Sequence, residues 1–288
     1  MESATNLVSS HSSELGEWEM VVRAPHPRLL PYIRRYCGYV ENTSFSSRIQ
    51  AASGDAVAIL GFGASTRTID LRYPDHSVSH QSFFAGLFDS PVITESMGPS
   101  AGLQIDFTPS GAYRFFGIPM HELANRVVSL SDLLGPSASR LSEQLELLPS
   151  WEPRFEIIDQ LIASRLAHAP EGSPAVAAVY ERICASGGLA SIGTLADEVG
   201  WSQKHLIQRF REQIGLPPKA FARIVRFGRA TERMRGPESG SWADIAYRCG
   251  YSDQSHLIRD FHEFAGATPS AFAARMLPDN GGIRGDGL

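Results

Sequence analysis

Two stretches decide the reading: Thr194-Leu-Ala-Asp-Glu-Val-Gly-Trp-Ser-Gln-Lys-His-Leu-Ile-Gln-Arg-Phe210 and Trp242-Ala-Asp-Ile-Ala-Tyr-Arg-Cys-Gly-Tyr-Ser-Asp-Gln-Ser-His-Leu-Ile-Arg-Asp-Phe261. Set one above the other, they share a frame. Each has an Ala in a short helical stretch (Ala196, Ala246), then Gly-aromatic-Ser (Gly200-Trp201-Ser202 and Gly250-Tyr251-Ser252). Each then has a Leu (Leu206, Leu257) with a Phe four residues further on (Phe210, Phe261). The second copy carries one extra residue between Ser252 and Leu257, so Ser252 and Asp253 are both candidates for its cap.

Every shared position has a physical task. A small Ala lets a second helix cross close to the first. Gly200 and Gly250 can take the left-handed backbone that ends a helix. The aromatic fills the angle between the two helices. Ser202 and Ser252 can cap the next helix by accepting a bond from an exposed backbone N–H. Leu and Phe four apart face the core together, which turns the polar residues of that helix outward. One such pattern alone reads equally well as a packed helical corner. Two in tandem, each followed by Gly and Pro (Gly215-Leu-Pro-Pro218 and Gly266-Ala-Thr-Pro269), read as a pair of helix-turn-helix units joined by a helix over Pro218 to Arg235.

Over Val176 to Met276 the chain closely resembles the AraC/XylS family of bacterial transcription regulators, whose DNA-binding module holds two such units bridged by one helix. The stretch that carries the resemblance is Ile245-Ala246, then Gly250-Tyr-Ser-Asp-Gln-Ser255, Phe261 and Gly266-Ala-Thr-Pro-Ser-Ala-Phe272. Leu257 departs from the family's usual Phe at a core-facing position. The resemblance implies two recognition helices, 203–213 and 253–264, entering successive major-groove turns about 34 Å apart. Candidate DNA contacts are Gln203, Lys204, Gln208 and Arg209 on the first and Gln254, Ser255, His256 and Arg259 on the second. Arg to guanine and Gln to adenine are the geometrically favoured pairings. Surface decoration and plain phosphate contact are the alternatives at each position, and Gln254 and Arg259 are best placed by the resemblance. Arg223, Arg226 and Arg229 on the bridging helix read as phosphate or ion-pair residues.

Composition is compatible with this reading. The chain has 288 residues and a net charge of −5, which looks wrong for a partner of a polyanion. The charge is uneven, however: residues 175–277 carry a balance of +3 and the rest −8. An acidic part joined to a mildly basic one suits separate sensing and DNA-binding halves. There is no apolar run long enough to span a bilayer, the first residues do not read as a secretory leader, and Cys37, Cys184 and Cys249 are isolated. These features point to a reducing cytoplasm, with neither a disulfide framework nor a cysteine metal site.

The expected architecture is α+β. A Ser-rich, disordered tail over 1–15 precedes a β-rich, barrel or sandwich-like sensing domain over 16–118, with a short helix near Pro31 to Tyr36. A helical connector over 119–167 follows, in which Phe155, Ile158, Ile162 and Leu166 share a face that completes the core or meets a second copy. His168-Ala-Pro-Glu-Gly-Ser-Pro174 is the linker, the all-α double helix-turn-helix domain covers 175–277, and a flexible tail covers 278–288. Pro31-Tyr-Ile-Arg-Arg35 and Val127-Val-Ser-Leu-Ser-Asp-Leu-Leu-Gly135 look like a little-characterised N-terminal type found in some family members. Phe62, Phe83, Phe84 and Phe88 read as core before pocket.

Other chemistry finds little support. Gly98-Pro-Ser-Ala-Gly102, followed by Asp106 and His121, mimics a hydrolase elbow, but a strand follows Ser100 where a helix should. His76 and His80 have ligand spacing on a stretch that reads as a loop. The expectation is therefore a regulator, not an enzyme, with no cofactor or metal. Its partners would be double-stranded DNA, a small-molecule effector, a second copy and, for an activator, RNA polymerase. The rival is an enzyme or binding protein whose helical tail makes protein contacts.

Overall fold

A computed structural model describes residues 7–13, 16–236, 240–277 and 282–285. The first part of the chain lays down β1 (Leu7–Ser13), β2 (Gly16–Arg23), β3 (Ile33–Thr43), β4 (Phe45–Gln50), β5 (Ala56–Gly61), β6 (Thr66–Asp70), β7 (Ser77–His80), β8 (Phe83–Ala85), β9 (Val92–Met97) and β10 (Ser100–Phe107). Helix α1 (Pro109–Phe116), strand β11 (Val127–Ser129) and helices α2 (Leu130–Leu134), α3 (Ser137–Glu146) and α4 (Trp151–Ala167) complete this half. The strands form two sheets: β1-β2-β3-β10-β5-β8-β11, and β4-β9-β6-β7 with one further strand beside β4.

Alternation along β10 assigns the faces. Leu103, Ile105 and Phe107 lie beside Gly38 and Tyr36 of β3 and beside Leu60, Ala58 and Ala56 of β5. The helices of the connector cover this face. Tyr36 stacks on Phe155 at 5.9 Å and donates its hydroxyl to Asp159 at 2.8 Å. A side chain at Gly38 would collide with the Trp151 ring, so the strand needs glycine there. Phe155, Ile158 and Ile162 are wholly buried, so the shared face of α4 serves the intramolecular core. The opposite face, with Tyr39, Glu41, Gly102 and Gln104, looks toward the second sheet, where Arg48 of β4 pairs with Glu41.

After the linker come α5 (Pro174–Ala185), α6 (Ile192–Glu198), α7 (Gln203–Ile214), α8 (Pro218–Arg235), α9 (Trp242–Arg248), α10 (Gln254–Ala265) and α11 (Pro269–Arg275), and then β12 (Ile283–Arg284). This matches the expected α+β class. Three local expectations are corrected. Residues 31–36 are not a helix: a 3-10 turn sits earlier, at Pro27–Leu29, and Ile33 already pairs with Phe107. A long ladder with β10 outweighs a local helix start there. Part of the expected disordered N-terminal tail is a strand, since Leu7–Ser13 pairs with residues 16–22 of β2; residues 1–6 and 14–15 lie outside the described residues. In the expected C-terminal tail, Ile283 and Arg284 pair with Ile49 and Arg48 of β4, burying Ile283 completely; residues 278–281 and 286–288 lie outside the described residues.

The two halves share one hydrophobic core, running from Val21 to Ile283. Ala52 donates its N–H to the Phe264 carbonyl at the end of α10 (2.8 Å). Arg34 donates to the Tyr180 hydroxyl of α5 (2.8 Å). The buried Gln213 of α7 accepts the linker N–H of Ser173 (2.9 Å). The hydrolase-like triplet is dispersed: Ser100 opens a strand and Asp106 is tied to Arg35 at 2.5 Å.

Candidate nucleic-acid interface

Helices α6 and α7 form the first unit, and α9 and α10 the second. Ser191 caps α6, and a reciprocal capping box of Ser241 and Asp244 starts α9. Ala196 and Ala246 are buried where the paired helices cross. Gly200 and Gly250 take positive φ of 68° and 76°. The next N–H, on Trp201 or Tyr251, then reaches back to the carbonyl of Ala196 or Ala246, 2.9 Å in both units. This is the bond that a left-handed residue makes available at a helix end.

The starts of the recognition helices differ in one residue from the sequence reading. Ser202 caps α7, its Oγ accepting from the His205 N–H at 3.3 Å. On α10 the cap is Asp253, whose Oδ1 accepts from the His256 N–H at 2.7 Å, and not Ser252. The extra residue in the second copy moves Ser252 outside the cap, where its hydroxyl sits 3.2 Å from the His256 ring nitrogen. A carboxylate is also the better acceptor at the positive end of a helix. The bonds that Asp253 accepts, chiefly from the His256 N–H, hold its carboxyl below the usual range.

With the caps as reference, Ser202 corresponds to Asp253, and the helices align without a gap. Both then read Gln-x-His-Leu-Ile-x-x-Phe, Gln203 to Phe210 and Gln254 to Phe261. The histidines occupy matching places. His205 meets the Trp201 ring edge-on at 4.6 Å, and His256 meets Tyr251 at 5.1 Å. Sequence reasoning did not single out His205, although the repeated His-Leu-Ile would have shown it once the cap was placed on Asp253.

Exposure sorts the candidates. Gln203, Lys204, Gln208, Gln254, Ser255 and Arg259 are exposed, and His256 is half-buried. Arg209 is also half-buried and ion-paired to Glu212 at 2.6 Å. Its counterpart Asp260 is 1% exposed and turned toward α8. There Arg223 donates to it at 2.7 Å, and Arg226 stands 3.6 Å away with its guanidinium over the Tyr251 ring. Arg223 also donates to Glu263, and these bonds, the one to Glu263 first, raise its pKa above the usual arginine value. Arg229 reaches the Ser186 carbonyl at 3.4 Å. The three bridging arginines thus hold the module together from within.

A family model described as a helix-turn-helix domain matches residues 195–275, and one described as a domain of unknown function, DUF6597, matches 22–129. The transcriptional activator RhaR of Pectobacterium atrosepticum is 30% identical over 124 residues, 41% of this chain and 43% of that protein. RhaS of Shigella boydii is 37% identical over 76 residues, 23% of this chain and 27% of its own length. The chain thus spans less than half the length of these two curated relatives. ToxT of Vibrio cholerae covers 83% of this chain and 98% of its own at 11% identity, with a TM-score of 0.48. With two capped helix-turn-helix units joined by α8 and the matches to the family model, RhaR and RhaS, residues 195–275 form a helix-turn-helix domain of the AraC type.

Proposed function

We propose that the protein is a sequence-specific, double-stranded-DNA-binding transcription regulator that reads two successive major-groove segments with α7 and α10. The observation that carries this is the pair of capped helices, each anchored by a buried Leu and Phe and each exposing polar side chains from its first turns. The readers on this view are Gln203, Lys204 and Gln208 with Gln254, Ser255, His256 and Arg259, while Arg209 is held by Glu212. The N-terminal half is the sensing part. What supports an effector is a group of buried polar side chains between its sheets. There Gln50 donates to Thr94, and the buried hydroxyls of Thr68 and Ser96, on the same sheet face as Arg48, have no hydrogen-bond partner. The cytoplasm is the compartment for this activity, and a second copy and, for an activator, RNA polymerase are its protein partners.

The test is an electrophoretic shift with DNA upstream of the protein's own and neighbouring genes, across a salt series. Affinity should fall steeply with salt as phosphate contacts are screened. Arg259→Ala should weaken binding to the specific site by about 1–3 kcal/mol while leaving random DNA nearly unchanged. Equal losses on both would rule out base reading by Arg259. No binding at low salt would end the proposal.

A further inference from the structure

The alignment set by the caps has a consequence for the DNA itself. We infer that the operator contains two related sequence elements about one helical turn apart, alike where matching side chains read them and different at two places set by Lys204/Ser255 and Gln208/Arg259. This rests on the DNA-reading proposal and adds what that DNA must look like.

Equal residues read equal bases only if they are presented alike, and three observations show that they are. The helices begin at equivalent caps, with N–H donors at His205 and His256. They are anchored by the same buried pair, Leu206 with Phe210 and Leu257 with Phe261. The aromatic-histidine contact recurs at 4.6 and 5.1 Å, both edge-on. At about 100° per residue, positions two before and two after the buried Leu lie on the side away from the core. These are Lys204 and Gln208 on α7, and Ser255 and Arg259 on α10, all exposed. Gln203 and Gln254 open the two helices identically, at the end that enters the groove. Both can pair with adenine through the same two bonds.

The differences fall in informative places. Arg259 suits guanine and Gln208 suits adenine. Lys204 adds a cation where Ser255 has a short hydroxyl. The next pair, Arg209 and Asp260, differs in sign; Asp260 is buried against α8, and Arg209 is ion-paired to Glu212 on its own helix. Arg211 and His262 lie two turns in, beyond the end that enters the groove.

Two exchanges would therefore convert one reader into the other. The experiment is selection from random duplex DNA with the full-length wild-type chain, with K204S/Q208R and with the reciprocal S255K/R259Q. The wild type should enrich two elements that share bases at some steps and differ at others. K204S/Q208R should enrich a motif in which the first element has become a copy of the second. It should prefer that duplicated site over the wild-type site by about tenfold, the discrimination expected of one good bidentate contact. S255K/R259Q should change the second element alone. All four positions are exposed, and matching thermal melts would show that the fold is retained. If the wild type enriched two elements with no base in common, or the exchange left the first element as it was, the inference would fail and DNA reading would stand. If the wild type enriched nothing at low salt, DNA reading itself would fail and take the inference with it.

Discussion

At the scale of single residues, Asp260 shows how a polar position on a recognition helix can serve the module's interior. Its carboxylate is almost fully buried and is held by Arg223 and Arg226 from α8. In sequence it looked like one more polar residue on an exposed helix, because its partners lie more than thirty residues away. Removing one member of a buried ion pair strands the others without a counter-charge. Asp260→Ala should therefore cost about 3 kcal/mol of stability, read from the denaturant midpoint. A loss below about 1 kcal/mol, the worth of an exposed pair, would show that water replaces the carboxylate.

At the scale of elements, most of the helical half was legible. Glycines at helix ends, serines at helix starts and the four-residue spacing of Leu and Phe are local signals, and α7 and α10 begin within a residue of where these put them. What local signals left undecided was which of two adjacent residues caps α10, because Ser252 and Asp253 are both good caps and only the fold fixes the helix start. A pair of alanine variants tests the outcome. Ser202→Ala removes a true cap and should cost about 1 kcal/mol, measured by chemical denaturation. Ser252→Ala should be near neutral, since Asp253 holds the exposed N–H. Equal losses in the two variants would put Ser252 back in the cap. The strands were less legible. The alternation in Leu103, Ile105 and Phe107 marked β10, but nothing in Leu7–Ser13 or Ile33–Tyr36 shows a partner, since the ladders that make them strands are formed with distant residues.

At the scale of the whole molecule, the composition of 168–174 marked a linker between two halves, and the structure joins them closely. One apolar core spans both, Ala52 holds the far end of α10 and the linker holds that of α7, and β12 returns to pair with β4. Docking of this kind depends on contacts between residues far apart in the chain, so no sequence window contains it. A continuous core should melt as a unit. Calorimetry on the full chain should show one transition, with calorimetric and van't Hoff enthalpies in agreement. Two resolved transitions would mean that the halves unfold independently. The reading faces of α7 and α10 stay exposed in this arrangement, so the N-terminal half fixes the position of the readers without covering them.

The path of β12 also bears on how the protein should be labelled. The Gly285 N–H bonds to the Ser47 carbonyl at 3.0 Å, so residues that follow the helix-turn-helix units in the chain sit on the N-terminal half in space. A dye attached at the exposed position 284 would report on β4 and its sheet, not on the helices before it. Paired with a second dye on α9, it would span the joint between the halves, and a change in energy transfer on adding a ligand or operator DNA would record that joint opening.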